Sequence, residues 1–231
     1  MNFTKSKKTF LLLFILIFPS AFYVYLTAGK EKSFVRLPYY GPKHPFVIKK
    51  NGKEEKDTSF YSISDFKFQN QYGNPITAST MRGKIWVCCF EDLKDTKTAP
   101  SQAILMNRIE SRTDLDTTLR LLTFALDKET TNSLTTYAQM VHAGKRQYFL
   151  SADSGKMQEF AITSFYQPVD TSYKNGFVHF FLIDREGCIR GIYNGTHIKD
   201  IDELIDNISM LEAAYYVNQN REESRKNDDG I

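Results

Sequence analysis

Cysteine, histidine and acidic side chains are the residues of this 231-residue chain that suit redox or metal chemistry, and few of them are placed to act together. Cys88 and Cys89 lie within an apolar run at residues 85–90, which is typical of a central strand covered on both faces. Because successive side chains of a strand point to opposite faces, these two thiols cannot present two sulfurs to one metal. A disulfide between neighbouring residues would be strained, so we interpret both as small buried hydrophobic residues.

The third cysteine and a nearby histidine have no evident partner. Cys188 follows Gly187 in a predicted hairpin turn, and of the three thiols it is the one that we expect to be exposed. His179 lies in the strand predicted before that turn, and we interpret it as a hydrogen-bonded histidine packed in the sheet. Neither residue indicates a catalytic site.

A polar loop follows the apolar strand at residues 91–99. Glu91, Asp92 and Asp95 alternate there with two lysines, without the ligand spacing of a calcium loop, so we expect a solvated loop. The loop contains no cysteine, and its threonines, Thr96 and Thr98, have no evident base nearby. Neither thiol exchange nor nucleophilic catalysis is therefore predicted here.

The composition indicates a globular domain with a membrane anchor. Hydrophobic residues make up 42% of the chain and aromatic residues 14%, which argues against disorder, and a net charge of +3 is too small to indicate nucleic-acid binding. The uncharged run at residues 10–27 predicts a single transmembrane helix held by membrane lipid. The lysines before it predict a cytoplasmic N-terminus and an exported C-terminal domain, periplasmic in a Gram-negative bacterium. A cleaved signal peptide is the alternative.

The patterning divides the chain into segments. They are a cytoplasmic N-terminus (1–9), the anchor (10–27), a spacer (28–56), a folded domain (57–216) and a polar tail (217–231) that we expect to be frayed from Tyr216. Within the domain, the pattern predicts strands at 66–69, 76–77, 85–90, 119–126, 147–150, 177–184 and 188–193. Helices are predicted from Pro100, with Ile104, Leu105 and Ile109 inward, from an Asn132 cap, from Ser154, and across residues 201–211.

This order predicts an α/β fold, a thioredoxin-like sheet with helices on both faces, preceded by an N-terminal β-hairpin and one transmembrane helix.

Several motifs, in order, resemble the SCO/SenC family. Residues 63–73, ISDFKFQNQYG, and 83–90, GKIWVCCF, are similar to the hairpin and strand that open that family's domain. Residues 180–196, FFLIDREGCIRGIYNGT, are similar to a later segment, and residues 36–43, RLPYYGPK, to the leader before the domain. The family comprises membrane-anchored, thioredoxin-fold copper chaperones for cytochrome oxidase. The resemblance therefore implies respiratory oxidase subunits or copper-delivery factors as partners.

The resemblance also implies where a metal site would lie. The family binds copper through two cysteines and one distant histidine, and these positions fall on Asp95, Ala99 and Gly176 of this chain. Cu(I) prefers thiolate and imidazole ligands, which a carboxylate, a methyl group and a glycine do not supply. We therefore expect no metal site, no cofactor and no catalytic residue.

Three functions remain open. The chain could be an assembly or accessory factor for a respiratory oxidase that binds partners but not copper, and this is the function we expect. It could instead be a copper chaperone or thiol oxidoreductase with relocated ligands, although Met106, Met140, Met157 and Met210 lie on predicted helices and are interpreted as core residues. A different, peroxidase-like enzyme would need an activated nucleophile, which the sequence does not indicate.

Overall fold

The computed structural model describes residues 17–18, 22, 37–50, 53–113, 118–166 and 179–228. Every strand and helix given below lies in one compact unit, Leu37–Ile231. The predicted anchor at residues 10–27 lies almost wholly outside the described residues and stays a prediction. Among the residues that are described, no helix combines the length and the apolar character needed to cross a membrane.

The described part of this unit forms nine strands and five helices. The strands are β1 (Lys43–Lys50), β2 (Lys53–Phe60), β3 (Lys67–Asn70), β4 (Pro75–Thr77), β5 (Ile85–Glu91), β6 (Leu119–Ala125), β7 (Gln147–Ser151), β8 (His179–Ile183) and β9 (Ile189–Asn194). The helices are α1 (Ala78–Met81), α2 (Ala99–Arg112), α3 (Thr131–Met140), α4 (Ser154–Phe165) and α5 (Ile198–Asp228).

Seven strands form one mixed sheet in the order β4-β3-β7-β6-β5-β8-β9. The central strands β5, β6 and β7 run parallel to one another, whereas β8, β9, β3 and β4 pair antiparallel to their neighbours. Strand β5 lies inside the sheet, and the loop between β5 and α2 begins at its carboxyl end. The sheet therefore places the polar loop of the sequence at one edge of the parallel strands.

Side-chain alternation along β5 supplies two hydrophobic layers. The face of β5 that carries Val87 packs against α2 and α5 through residues such as Met106 and Leu204. Trp86 and the opposite face pack with α4 through residues such as Phe160. The structure thus confirms an α/β sheet with helices on both faces, and it confirms that strand β5 is buried along its whole length.

Two helix details differ from the sequence prediction. Ile104, predicted to face inward, is exposed on the outer side of α2, because the buried face of that helix is formed by Ala99, Gln102, Ala103, Met106 and Ile109. The cap of α3 is Thr130 and not Asn132, because Thr130 is extended and its hydroxyl accepts a hydrogen bond from the backbone amide of Ser133.

The last helix is longer than predicted. We expected fraying from Tyr216, where apolar spacing is lost, yet α5 continues to Asp228. The prediction was wrong because the polar stretch is rich in glutamate, arginine and lysine, which favour helices without needing a buried face.

Regular structure also occurs within the stretch predicted as a spacer. Strands β1 and β2 pair antiparallel as a two-stranded ribbon that is separate from the seven-stranded sheet. The ribbon begins at Lys43, inside the predicted spacer, and ends at Phe60, inside the predicted domain.

The leader before this ribbon is anchored on the domain by one arginine. The Arg190 guanidinium donates hydrogen bonds to the carbonyl oxygens of Leu37, at 2.6 Å, and Pro38, at 3.1 Å. It also pairs with the buried carboxylate of Asp184 at 3.0 Å and lies 3.9 Å from the centre of the Tyr39 ring. Residues 37–39 are therefore part of the folded unit.

Candidate functional site

The loop between β5 and α2, residues 92–98, is the candidate site because it contains the first position that the family resemblance assigns to a copper ligand. Helix α2 begins directly after the loop at Ala99, the second such position, with Pro100 in its first turn as predicted. Thr98 is the residue before the helix, and its side chain does not cap the helix amides.

Asp95 is engaged by the loop itself. Its Oδ1 accepts hydrogen bonds from the backbone amides of Lys97, at 2.9 Å, and Thr98, at 3.3 Å, and its Oδ2 accepts one from the Thr98 hydroxyl. The Thr98 hydroxyl and the Lys97 amide lower the pKa of the Asp95 carboxyl. Thr98 thus has a carboxylate neighbour that the sequence did not reveal, but a carboxylate with a lowered pKa is a weak general base.

Ala99 points into the protein interior. Its side chain is 1% exposed and belongs to a small hydrophobic cluster with Ala125, Leu134, Tyr137 and Phe149. The methyl group at this position therefore completes the packing between α2, α3 and the sheet. The third family position, Gly176, lies outside the described residues.

His179, the histidine closest in sequence to that third position, opens strand β8. It is partly exposed and pairs through the backbone register with Asn194 of β9. Its place in the strand agrees with the sequence prediction.

The adjacent cysteines are separated by the sheet, as predicted. Cys88 packs in the layer under α4 and Cys89 in the layer under α2 and α5, and both are fully buried. Burial raises the pKa of both thiols well above the ordinary value. Inaccessible neutral thiols are poor nucleophiles and poor metal ligands.

Cys188 is also buried, which corrects our expectation of an exposed thiol. Its side chain is 7% exposed, because residue 188 forms a β-bridge with Ser62 and the segment around Ile63 covers the turn. Burial, with the charges of Asp184 and Glu186, raises its pKa to about 11.

The methionines are divided between core and surface. Met106 and Met157 are buried, as predicted, whereas Met140 lies at the end of α3 and is exposed. Within residues 37–50, 53–113, 118–166 and 179–228, no group of three or more histidine, cysteine or acidic side chains is arranged to hold a metal ion.

Glu91 is the main residue whose environment the sequence analysis missed. We placed it in the solvated loop with Asp92 and Asp95, but it ends strand β5 and is 2% exposed. Burial, with the charges of Asp92 and Asp95, raises its pKa to about 9. The strand alternation was the signal available, since position 91 shares a face with Val87 and Cys89.

Known proteins resemble this chain in sequence and in fold. No protein-family model matches the chain. The SCO1 protein homolog of Bacillus subtilis (strain 168) is 23% identical over 177 residues, which cover 71% of this chain and 89% of that protein.

Solved structures support the fold. A SCO1/SenC family lipoprotein from Bacillus anthracis str. Ames is 20% identical with a TM-score of 0.60, covering 66% of this chain and 95% of that one. Copper-bound ScoI of Bradyrhizobium japonicum is 17% identical with a TM-score of 0.53, covering 65% of this chain and 99% of that one.

The same ordered motifs, the same thioredoxin-like α/β frame and a relative matched along most of its length point to one conclusion. The chain is similar to members of the SCO/SenC family along most of their length and shares their fold.

Proposed function

We propose that this protein is an assembly or accessory factor for a respiratory oxidase that does not itself bind copper. The oxidase link comes from its similarity to Sco proteins, a family described as cytochrome c oxidase assembly proteins. The lack of copper binding is inferred from its own side chains.

The observation that carries the proposal is the state of the two family ligand positions beside α2. At position 95 both carboxylate oxygens already accept hydrogen bonds from the loop. At position 99 a methyl group is packed in a hydrophobic cluster. Cu(I) requires soft donors, and neither position supplies one.

The cysteines support the same view and argue against an enzyme. All three thiols of the chain are buried, and their pKa values are raised. A thiol oxidoreductase needs an accessible thiolate and a resolving partner, which this arrangement does not favour. We therefore propose a binding role for the domain, with no catalytic residue, no bound cofactor and no metal ligand.

The location of the protein is part of the proposal. We propose that residues 10–27 anchor it in a membrane and that the domain is exported, as the positive charges before that run indicate. The Bacillus anthracis relative is described as a lipoprotein, so an anchored domain has a counterpart in the family. Oxidase subunits or copper-delivery factors are the partners that we expect to copurify from native membranes.

Copper binding is the direct test. The purified protein is titrated with Cu(I) under anaerobic conditions against a chromophoric chelator. We expect the chelator to keep all the copper. Stoichiometric Cu(I) retained by the protein would overturn the proposal and favour a chaperone with relocated ligands.

A variant with restored donors serves as the positive control. The triple substitution Asp95→Cys, Ala99→Cys and Gly176→His places the family donor types at the three positions, and we expect it to retain about one equivalent of Cu(I). A matched variant with Asp95→Ser, Ala99→Ser and Gly176→Asn should retain none. If the restored variant also binds no copper, the assignment of the three positions is wrong.

A further inference from the structure

A buried polar cluster lies under the candidate loop at the carboxyl end of β5. Glu91 and Cys89 project from one face of β5, and the Cys89 thiol is 3.8 Å from the Thr123 hydroxyl of β6. Tyr137 of α3 lies close enough to Glu91 and Cys89 for their charges to raise its pKa, although burial is the larger cause. The Glu91 carboxyl group therefore lies in the interior near the Tyr137 phenol and the Cys89 thiol.

Two polar atoms of this cluster lack partners. Oε1 of Glu91 and the hydroxyl oxygen of Tyr137 are buried and form no hydrogen bond with the described residues. The titratable groups acting on Glu91 from the loop are Asp92 and Asp95, both acidic. Lys94 is directed elsewhere, towards Asp127 and Glu129. Among the residues that the structure describes, neither a cation nor a donor is recorded at Oε1 of this buried carboxyl group, which favours the neutral acid in the closed structure.

The loop above Glu91 is closed mainly on itself. The Asp95 amide donates to the Asp92 carbonyl oxygen at 3.0 Å, and the Lys94 amide donates to Asp92 Oδ1 at 2.9 Å. Leu93 also packs against the hydrophobic cluster that contains Leu134 and Tyr137 of α3. Lys94 lies 3.7 Å from Asp127 and forms its shorter ion pair, at 3.2 Å, with Glu129. Because the Lys94 side chain is 66% exposed, that pair adds little.

We propose that residues 92–98 form a proton-controlled flap, which is closed while the Glu91 carboxyl is neutral and opens when that carboxyl ionises and reaches water. The proton passes to bulk solvent, and no other covalent bond is made or broken. Opening requires the loop to lift as a unit and the Leu126 amide to leave the Glu91 carbonyl oxygen, to which it donates at 2.9 Å.

Linkage fixes the direction and the size of the effect. In the open form the pKa of Glu91 returns towards 4.5, whereas in the closed form it is about 9. Opening therefore releases a proton, and the opening equilibrium rises by up to about tenfold per pH unit between these values. A flap governed in this way stays closed in acid and opens progressively as the pH rises.

Amide hydrogen exchange of the full chain measures this equilibrium. The reporters are the amides of Asp95, Ala99 and Leu126, each of which donates a hydrogen bond at the flap or beside it. Rates of the wild type are divided at each pH by those of Glu91→Gln, which cancels the intrinsic pH dependence of exchange. We expect this ratio to rise by roughly tenfold per pH unit between pH 5 and pH 8.

Two comparisons decide the outcome. Tyr137→Phe keeps the carboxyl group, so its rates divided by those of Glu91→Gln should rise with pH as steeply as those of the wild type. The central-strand amide of Val87 should exchange far more slowly than the reporters at every pH. A ratio that does not change with pH overturns the proposal, as does a ratio that changes only in step with Val87, since that would indicate global unfolding. If Glu91→Gln does not fold, the protection factors of Tyr137→Phe provide the same slope.

Discussion

The anchoring of the leader by Arg190 leads to the sharpest prediction about stability. The Arg190→Met substitution keeps the length and the apolar stem of the side chain and removes the guanidinium. The change leaves Asp184, which is fully buried, without its partner at 3.0 Å. It also removes both hydrogen bonds to the leader carbonyls and the contact with the Tyr39 ring.

The magnitude follows from the buried charge. Asp184 Oδ1 still accepts from the amides of Cys188, at 2.9 Å, and Glu186, at 3.1 Å, so only Oδ2 loses its partner. Removing one partner of a buried ion pair typically costs about 3–5 kcal/mol. The leader carbonyls return to water when they are released, so their loss adds little. We expect the free energy of unfolding to fall by about 3–5 kcal/mol.

Urea unfolding followed by the fluorescence of Trp86 measures this change, because Trp86 is the single tryptophan and is buried. The double variant Asp184→Asn/Arg190→Met removes both charges, so we expect it to lose at least about 2 kcal/mol less than the sum of the single variants. Hydrogen exchange at the Tyr40 amide, which donates to the Ile189 carbonyl oxygen at 3.0 Å, should accelerate in Arg190→Met. A loss below about 1 kcal/mol, or strict additivity, would refute the reasoning.

Two further predictions concern buried titratable groups. Because the unfolded chain releases the Glu91 proton near pH 4.5 and the folded protein holds it to about pH 9, the stability of the wild type should fall as pH rises between these values. Relative to Glu91→Gln, urea unfolding from pH 5 to pH 8 should show a loss of up to ~4 kcal/mol, and parallel curves would contradict this. Cys188 should resist thiol reagents in the folded protein at pH 7 and react once urea exposes it. Labelling of Cys188 in the native state before any unfolding, located by peptide mass spectrometry, would show that its burial is misjudged.

The sequence predicted the sheet because its signal is local. Residues 85–90 are apolar throughout, and a short run of this kind is typical of a strand between two layers. The same strand geometry predicted that the Cys88 and Cys89 side chains point to opposite faces of the sheet. The division of the thiols between two layers could therefore be predicted without knowing the helices that cover them.

The burial of Cys188 and Glu91 could not be predicted in the same way. Both residues lie where a strand meets a turn, and their burial depends on distant elements. Cys188 is covered by the segment around Ser62, more than a hundred positions earlier, and Glu91 lies near Tyr137 of α3. Turn composition indicates exposure on average, whereas a tertiary contact decides the individual case.

The anchoring of the leader was missed for a similar reason. Arg190 lies in a segment that was recognised by its resemblance, yet the contacts of its guanidinium with residues 37–39 span about 150 positions. The proline content of the leader indicated a spacer. The sequence of the leader alone does not indicate that a buried arginine donates hydrogen bonds to its carbonyl oxygens.

If the proposed assignment of the family ligand positions holds, the residues at positions 95 and 99 provide a way to hold the loop that needs no metal. A copper ion bound at positions 95 and 99 would link the loop to the first turn of the helix. In this chain the Asp95 carboxylate links the same stretch by accepting from the Lys97 and Thr98 amides and the Thr98 hydroxyl. Ala99 fixes the start of the helix by hydrophobic packing, which a charged or liganded side chain would disturb. On that proposed assignment, Asp95 and Ala99 each replace a copper donor and supply a contact that holds the loop without metal. A frame kept in this way retains the surface around the loop, which is what recognition of a partner requires.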